Sequence, residues 1–397
     1  MRNFSFFLFV TTAALISGCQ TTMTSKTDEL IESKITDIKS MFAPDKRVAL
    51  FQPIATNEAG KFVISGYTNI AEAKKALFDS LNAYGVQFTD SLELLPSAAL
   101  NGKVFGIVNN SVANIRSEPK HSAELATQAL LGTPLNILRQ AGEWYLVQTP
   151  DKYISWVDHG GLVLQTAAEF DAWKSTDKVI FTEVTGFSYS EESETSMVVS
   201  DLVMGSVLEK TGERTDFYSV RYPDGRLAFV KKAETKEIEP WLAEALTSPE
   251  KLTTVAFQLM GAPYLWGGTS TKGMDCSGFT KTVYLMNGLV IPRDASQQVF
   301  AGKAVDASAG WDQLQIGDLL FFGSPASEDK KERVVHVGMW IGEKRFIHAS
   351  GQVRISSVNP ADQLYDEFNT KRFLRARRYA PNYEGAIVDL KEVRLFQ

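Results

Sequence analysis

One stretch of the chain is written twice. Gly132, Leu135, Tyr145, Val147, Pro150, Asp151 and Val157 recur as Gly205, Leu208, Tyr218, Val220, Pro223, Asp224 and Val230, at a constant offset of 73 residues (132 to 205) and without a gap. Trp144 meets a second aromatic, Phe217. The shared Tyr-x-Val followed by Pro-Asp points to duplication of a structural unit. From about residue 100 to 232 short strand-like runs alternate with turn residues, which predicts two small β-barrels of ~60–70 residues each. The chain has 397 residues. One hydrophobic core does not extend over that length, so two to four domains are expected in all.

On the N-terminal side of the duplication lie two further segments. Residues 20–46 are polar with one helical stripe, Ile31, Ile35, Ile38 and Phe42, and read as a tether plus a helix. The runs Arg47–Gln52 and Lys61–Tyr67 are strand-like. Ile70–Ala83 is helical, with Leu77, Leu81 and Tyr84 on one side, and Gly85 stops it. Val86–Leu95 reads as another strand. These make a small ββαβ unit within residues 47–99.

The first residues carry an address. Arg2 precedes an apolar run from Phe4 to Ile16. The run is shorter than the ~20 residues that span a bilayer. A positive start, a short apolar run and small residues at its end form an export signal. It ends Leu15-Ile16-Ser17-Gly18-Cys19, which resembles a bacterial lipobox, and that resemblance implies a lipid on Cys19 and attachment to a bacterial membrane on its periplasmic or cell-surface face. The chain has two cysteines. With Cys19 lipidated, Cys276 is a free thiol in an oxidising compartment, and such a leftover thiol is a candidate for reactivity. The formal net charge of −6 offers no basic face for nucleic acid.

After the duplication, Lys231–Glu237 reads as a charged, solvated linker. Ser248-Pro249-Glu250 is a helix start, so a last domain spans about 239–397. Three segments of it carry chemistry. In Met274-Asp275-Cys276-Ser277-Gly278-Phe279, the apolar residues Phe279, Val283 and Met286 follow Cys276 at helical spacing, and Asn287-Gly288 ends the helix. Asp275 is its expected N-cap, which puts Cys276 in a first turn that favours anions, a thiolate included. Val334–Ile341 alternates as a strand with Val335, Val337, Met339 and Ile341 on one face and His336 on the other. Arg345–Ala349 is a second strand. A turn at Gly342–Lys344 sets His348 opposite Gly338 and makes His336 its diagonal neighbour, within ~7–8 Å. A lone strand histidine is ordinarily structural. Two of the chain's four histidines on one hairpin face, after a lone helix-start cysteine, point to a nucleophile (Cys276), a general base (His336) and an orienting residue (His348). A zinc site of one Cys and two His remains open, although the close cysteine pairs of structural zinc sites are missing.

Tyr264-Leu265-Trp266-Gly267-Gly268, Asp275-Cys276-Ser277-Gly278-Phe279, Gly317-Asp318-Leu319-Leu320-Phe321-Phe322, His336-Val337-Gly338 and Ile347-His348-Ala349 occur in the order of the NlpC family of cysteine peptidases, which residues 250–380 resemble. The repeats, with Gly132–Leu138, Trp144–Val147 and Ser155–Val157, resemble bacterial SH3-like barrels. The resemblance implies an α+β multidomain protein: a papain-like catalytic domain (239–397), a clip-like unit (47–99) and two barrels (100–165 and 166–238). It implies an endopeptidase that cuts murein peptides between γ-D-glutamate and a diamino acid, acts as a monomer and needs neither metal nor organic cofactor. Tyr264 would face the nucleophile, and Asp275 and Ser277 would contact substrate beside it. Glu124 and Tyr153 of the first barrel would grip the free amine of an N-terminal L-alanine. Two other readings are a cell-wall binding protein with an inert peptidase domain, and an amidase of the same fold acting on intact peptidoglycan.

Overall fold

The computed structural model describes residues 26–58, 61–245, 248–307, 310–380 and 385–396. The export segment and Cys19 lie outside these. Among the described residues no helix is long and apolar enough to cross a membrane. The fold is a multidomain α+β assembly.

The expected helix runs Lys26–Phe42. Its stripe of Ile31, Ile35 and Ile38 is buried in one cluster with Phe51, Phe62, Ile64, Leu77 and Leu81, so it completes the N-terminal unit. That unit pairs Phe51–Glu58 with Lys61–Thr68 and packs the helix Ala71–Ala83 on them. The expected strand at Arg47 begins four residues later, at Phe51. Asp45 accepts the Arg47 backbone N–H at 3.0 Å and holds a turn there instead. The expected strand Val86–Leu95 is split into Phe88–Asp90 and Glu93–Leu94. Between them Asp90 turns on itself and accepts the Leu92 N–H at 2.9 Å.

The two barrels carry seven strands each. The first runs Phe105–Val108, Val112–Arg116, Leu125–Leu130, Pro134–Ala141, Trp144–Gln148, Ile154–Asp158 and Leu162–Gln165. The second runs Lys178–Phe181, Thr185–Tyr189, Val198–Val203, Val207–Glu213, Phe217–Arg221, Leu227–Lys231 and Thr235–Glu237. Every strand of the second starts at the repeat offset from its counterpart, 105 to 178 through 162 to 235. Counted along the chain within each barrel, both sheets have the order 3-2-6-5-4-1-7. Lys231–Glu237 is therefore the end of the second barrel and not a linker. Its charges are paired: Lys231 with Glu234 at 2.6 Å and Lys232 with Glu213 at 2.7 Å.

The last domain is built on a six-stranded antiparallel sheet in the order Lys303–Val305, Phe373–Arg378, Leu319–Ser324, Arg333–Gly342, Arg345–Ser350, Gln352–Ser357. One face, with Leu319, Phe321, Val337, Met339 and Ile347, packs on Phe279 and Val283 of the helix Cys276–Leu285. The other buries Leu320, Phe322, Trp340 and Phe346. Val335 departs from the expected alternation and is 42% exposed, because the register slips between Phe322 and Gly323 where they face His336 and Val334. The same core takes in Met204 and Val207 of the second barrel and Trp241 and Leu242 of the helix Ile238–Glu244. The second barrel and the last domain thus share apolar contacts, and the first barrel puts Leu131 into the second barrel's core and packs Leu138, Leu146 and Ile154 against Leu50 and Leu95 of the N-terminal unit.

Candidate active site

Asp275 caps the helix Cys276–Leu285 by accepting the Gly278 N–H at 2.7 Å. Cys276 opens that helix, and the helix lies against the strands that carry His336 and His348. The sulfur receives the backbone N–H groups of Val337 and Ser277. Burial, joined by the Asp275 carboxylate, nonetheless pushes the thiol up to about 12. The helix start does not by itself make a thiolate, as the sequence suggested; desolvation of the buried sulfur wins over the dipole.

The hairpin turns on Glu343 and Lys344, both in the left-handed region with φ of 50° and 58°. Met339 pairs with Ile347, which places Gly338 opposite His348. A Cβ at Gly338 would come within 2.8 Å of Phe346 Cδ2 and 3.2 Å of His348 Cβ, so glycine there makes room for the imidazoles. His336 Nε2 and His348 Nδ1 are 2.7 Å apart, and His348 Nε2 lies 3.0 Å from Ser356 Oγ. Asp366 Oδ2 is 4.0 Å from the same His348 nitrogen. The chain admits the tautomers that leave His336 Nδ1 as a base: in them His336 donates from Nε2 to His348 Nδ1, and His348 donates from its own Nε2 to Ser356 Oγ. Burial, then the charges of Arg372 and Arg354, lower His336 to about 4, against Asp366 and Asp275. Burial, then His336 and Arg354, lower His348 to about 3. Thiol and imidazoles are all neutral near pH 7, an arrangement suited to general-base activation of the thiol as it reacts.

Arg293, which the motif reading passed over, organises the nucleophile's surroundings. It is 1% exposed. It donates to Asp275 Oδ1 at 3.1 Å and Oδ2 at 2.6 Å, to Ser277 Oγ at 3.0 Å and to Thr127 Oγ1 of the first barrel at 3.0 Å. Asp275 also accepts from the Ser277 hydroxyl at 3.1 Å and the Gly267 N–H at 3.0 Å. With five donors around it, the carboxylate has its ~4 acceptor sites occupied within the chain. Asp275 and Ser277 are therefore built into the frame of the site. Tyr264 is half-buried, and burial with the nearby Cys276 and Asp275 charges raises its phenol.

Both barrel residues face the last domain. Glu124 accepts the Trp266 indole N–H on Oε1 at 2.6 Å. Trp266 is 63% exposed, so this pair stands at the rim. Next to it Gly267 has φ of 79°, and a Cβ there would lie 2.1 Å from the Leu125 carbonyl oxygen; the barrel loop rests directly on this turn. Gln128 adds contacts at 2.9 Å to Thr269 and Ser270, and Asp151 pairs with Lys281 at 2.7 Å. Tyr153 is buried near Arg293 and Asp294. It also lines a cavity of about 260 Å³ with Arg47, Tyr67 and Trp156. Arg47 bridges from the N-terminal unit to Asp294 at 2.8 Å. Among the described residues no group of three His, Cys, Asp or Glu is arranged to hold a metal ion.

Ser356, Asp366 and Arg293 were all missed by motif reading. Ser356 had a signal: His348 pairs with Arg354, and the residue two further along the strand shares that face. Asp366 and Arg293 had none, since only tertiary folding brings them in.

A model of the NlpC/P60 family matches residues 261–378, and one of the bacterial dipeptidyl-peptidase SH3 domain matches residues 115–162. A relative from Bacillus cereus, named gamma-D-glutamyl-L-lysine dipeptidyl-peptidase, is 30% identical over 334 residues, covering 81% of this chain and 96% of the relative. A protein of the same name from Bacillus subtilis is 30% identical over 57% of this chain and 72% of its own length. Among solved structures, an NlpC/P60 family protein from Bacillus cereus superposes with a TM-score of 0.60 at 26% identity, covering 70% of this chain and all of that one. An NlpC/P60 endopeptidase from Photobacterium damselae, at 14% identity and a TM-score of 0.52, covers 91% of this chain and 84% of its own and shares the fold.

Proposed function

Because the chain belongs to the NlpC/P60 family of cysteine peptidases, we propose that it hydrolyses the amide between γ-D-glutamate and a diamino acid in cell-wall peptides, and that it prefers fragments with a free N-terminal L-alanine. Cys276 attacks the carbonyl while His336 Nδ1 takes the thiol proton. His336 then returns that proton to the leaving amine, and His348 holds it in the tautomer that can do so. The Tyr264 hydroxyl and the backbone N–H of Cys276 itself are the available donors for the oxyanion. Water, with His336 again as base, hydrolyses the thioester. The substrate class rests on the relatives named gamma-D-glutamyl-L-lysine dipeptidyl-peptidase, one of which is matched over 96% of its length. We further infer that the protein is exported and anchored through a lipid on Cys19, on the strength of the lipobox-like sequence.

One observation carries the preference for a free amine. The loop bearing Glu124 is seated on Trp266 and Gly267, which supports the reading that the first barrel closes one end of the cleft and presents a carboxylate there. An ammonium pairs with that carboxylate, whereas the neutral amide of a muramyl-linked alanine does not. A charge-assisted hydrogen bond is worth roughly 1.5–3 kcal/mol, which corresponds to a preference of at least ~10-fold. The test is kcat/KM for L-Ala-γ-D-Glu-L-Lys and for its N-acetyl form, in wild type and in Glu124→Gln. The preference should shrink in the variant through loss of activity on the free amine. Equal rates on both peptides in wild type, or efficient release of fragments from intact sacculi, would overturn it.

A further inference from the structure

Two guanidinium groups stand close to the imidazole pair, those of Arg354 and Arg372. Arg354 is the register partner of His348 on the neighbouring strand and so shares its face. Arg372 precedes Phe373, which pairs with Phe322, the partner of His336. The Arg372 carbonyl also accepts the Gly323 N–H at 2.9 Å.

The two arginines differ in what neutralises them. Arg354 has Asp366 at 4.0 Å. Arg372 donates from Nε at 3.1 Å and Nη2 at 2.8 Å to Asn369 Oδ1, a neutral acceptor. Its guanidinium lies 4.1 Å from the centre of the Phe368 ring, which is 69% exposed. Among the described residues no carboxylate forms an ion pair with it. Burial pushes its ionisation below the ordinary arginine range, and its charge acts on both Cys276 and His336. Asp366, held by the Asn369 amide at 2.6 Å, acts on this cation through its charge without touching it, and burial outweighs that charge, so a partly desolvated guanidinium beside the reacting groups has no direct ion-pair partner among the described residues.

We propose that Arg372 binds a carboxylate of the leaving group, the diamino acid released when His336 protonates its amine. Asn369 occupies the Nε–Nη2 edge of the guanidinium, and the carboxylate approaches at the Nη1 side, where the planar fork suits it. This rests on the cleavage reading above. Two carboxylates have the required chemistry: the α-carboxylate of a diamino acid at the C-terminus of the substrate, and the second carboxylate of diaminopimelate.

Four peptides separate them: L-Ala-γ-D-Glu-L-Lys, its C-terminal carboxamide, L-Ala-γ-D-Glu-diaminopimelate, and the same peptide amidated at the α-carboxylate. Each is measured as kcat/KM with wild type, Arg372→Gln and Arg372→Lys. If the α-carboxylate is bound, wild type favours the lysine acid over its carboxamide by ~10-fold or more. If the second carboxylate is bound, wild type favours the α-amidated diaminopimelate peptide over the lysine carboxamide by a similar factor. In either case the ratio falls toward one in Arg372→Gln and is partly kept in Arg372→Lys. The ratio is independent of how much of a preparation is folded. Wild type without either preference overturns the proposal. So does Arg372→Gln lowering all four rates by one common factor, which would mean that the charge acts only through Cys276 and His336. If wild type cuts none of the four at the γ-glutamyl amide, the substrate reading falls and this proposal with it; cleavage without preference removes this proposal alone.

Discussion

Replacing Arg293 by Met takes a guanidinium out of the frame that holds the nucleophile. Its four hydrogen bonds go to Asp275, Ser277 and Thr127. The buried Asp275 carboxylate then keeps the Gly267 and Gly278 N–H groups and the Ser277 hydroxyl but has no counter-charge. Breaking a buried pair by removing one partner costs ~3–5 kcal/mol, because the remaining charge is left uncompensated. Such a loss is a large part of the ~5–15 kcal/mol that stabilises a domain. It lowers the melting temperature by ~6–20 °C. Adding Asp275→Asn removes the stranded charge, so the double variant should be more stable than the two single losses combined, with a coupling of ~1–3 kcal/mol. Scanning calorimetry of wild type, both single variants and the double variant measures all four corners. A midpoint for Arg293→Met within ~2 °C of wild type, or strictly additive losses, would refute the reasoning that this pair organises the site.

His336→Ala should lose at least ~10²-fold in kcat, because it removes the general base, and His348→Ala should lose less; equal activity of His336→Ala and wild type would remove the assignment. The low ionisation of His336 and His348, about 4 and about 3, makes stability depend on pH. Above the unfolded histidine value of ~6.5 both states are neutral and nothing is lost. As pH falls from ~6.5 toward 4 the unfolded chain takes up protons that the folded one refuses, so stability should drop by a few kcal/mol across that window. His348→Asn should flatten the drop, and an identical pH profile for variant and wild type would contradict the buried neutral pair. The mature protein should carry an acylated N-terminus at Cys19, read by intact mass after membrane extraction; a soluble product cleaved at another position refutes the anchor.

Much of this architecture is legible in the chain because it depends on local spacing. The proximity of the two imidazoles follows from a two-residue turn at Glu343–Lys344, which sets Gly338 against His348. The duplicated barrels are legible from their constant offset, and extending that offset matches Lys231–Glu237 to the end of the first barrel at residues 158–164 and so makes it the end of the second barrel instead of a linker. What spacing does not carry is contact between distant segments. Arg293 meets Thr127 across 166 residues. The helix Lys26–Phe42 shows its apolar stripe in the sequence, but the surface it buries is formed by strands and a helix that follow. The state of the thiol is also tertiary. The N-cap and helix start are visible around Cys276, whereas the burial that keeps the sulfur protonated comes from the sheet packed over it.

Cys276-dependent hydrolysis at one particular amide is the centre of the account, and product analysis tests it most directly. Purified protein is incubated with L-Ala-γ-D-Glu-diaminopimelate, in parallel with Cys276→Ala checked for fold by circular dichroism, and the products are identified by mass. The account predicts L-Ala-γ-D-Glu and free diaminopimelate from wild type and uncut peptide from the variant. Cleavage at the L-Ala amide, or turnover by folded Cys276→Ala near the wild-type rate, would contradict it.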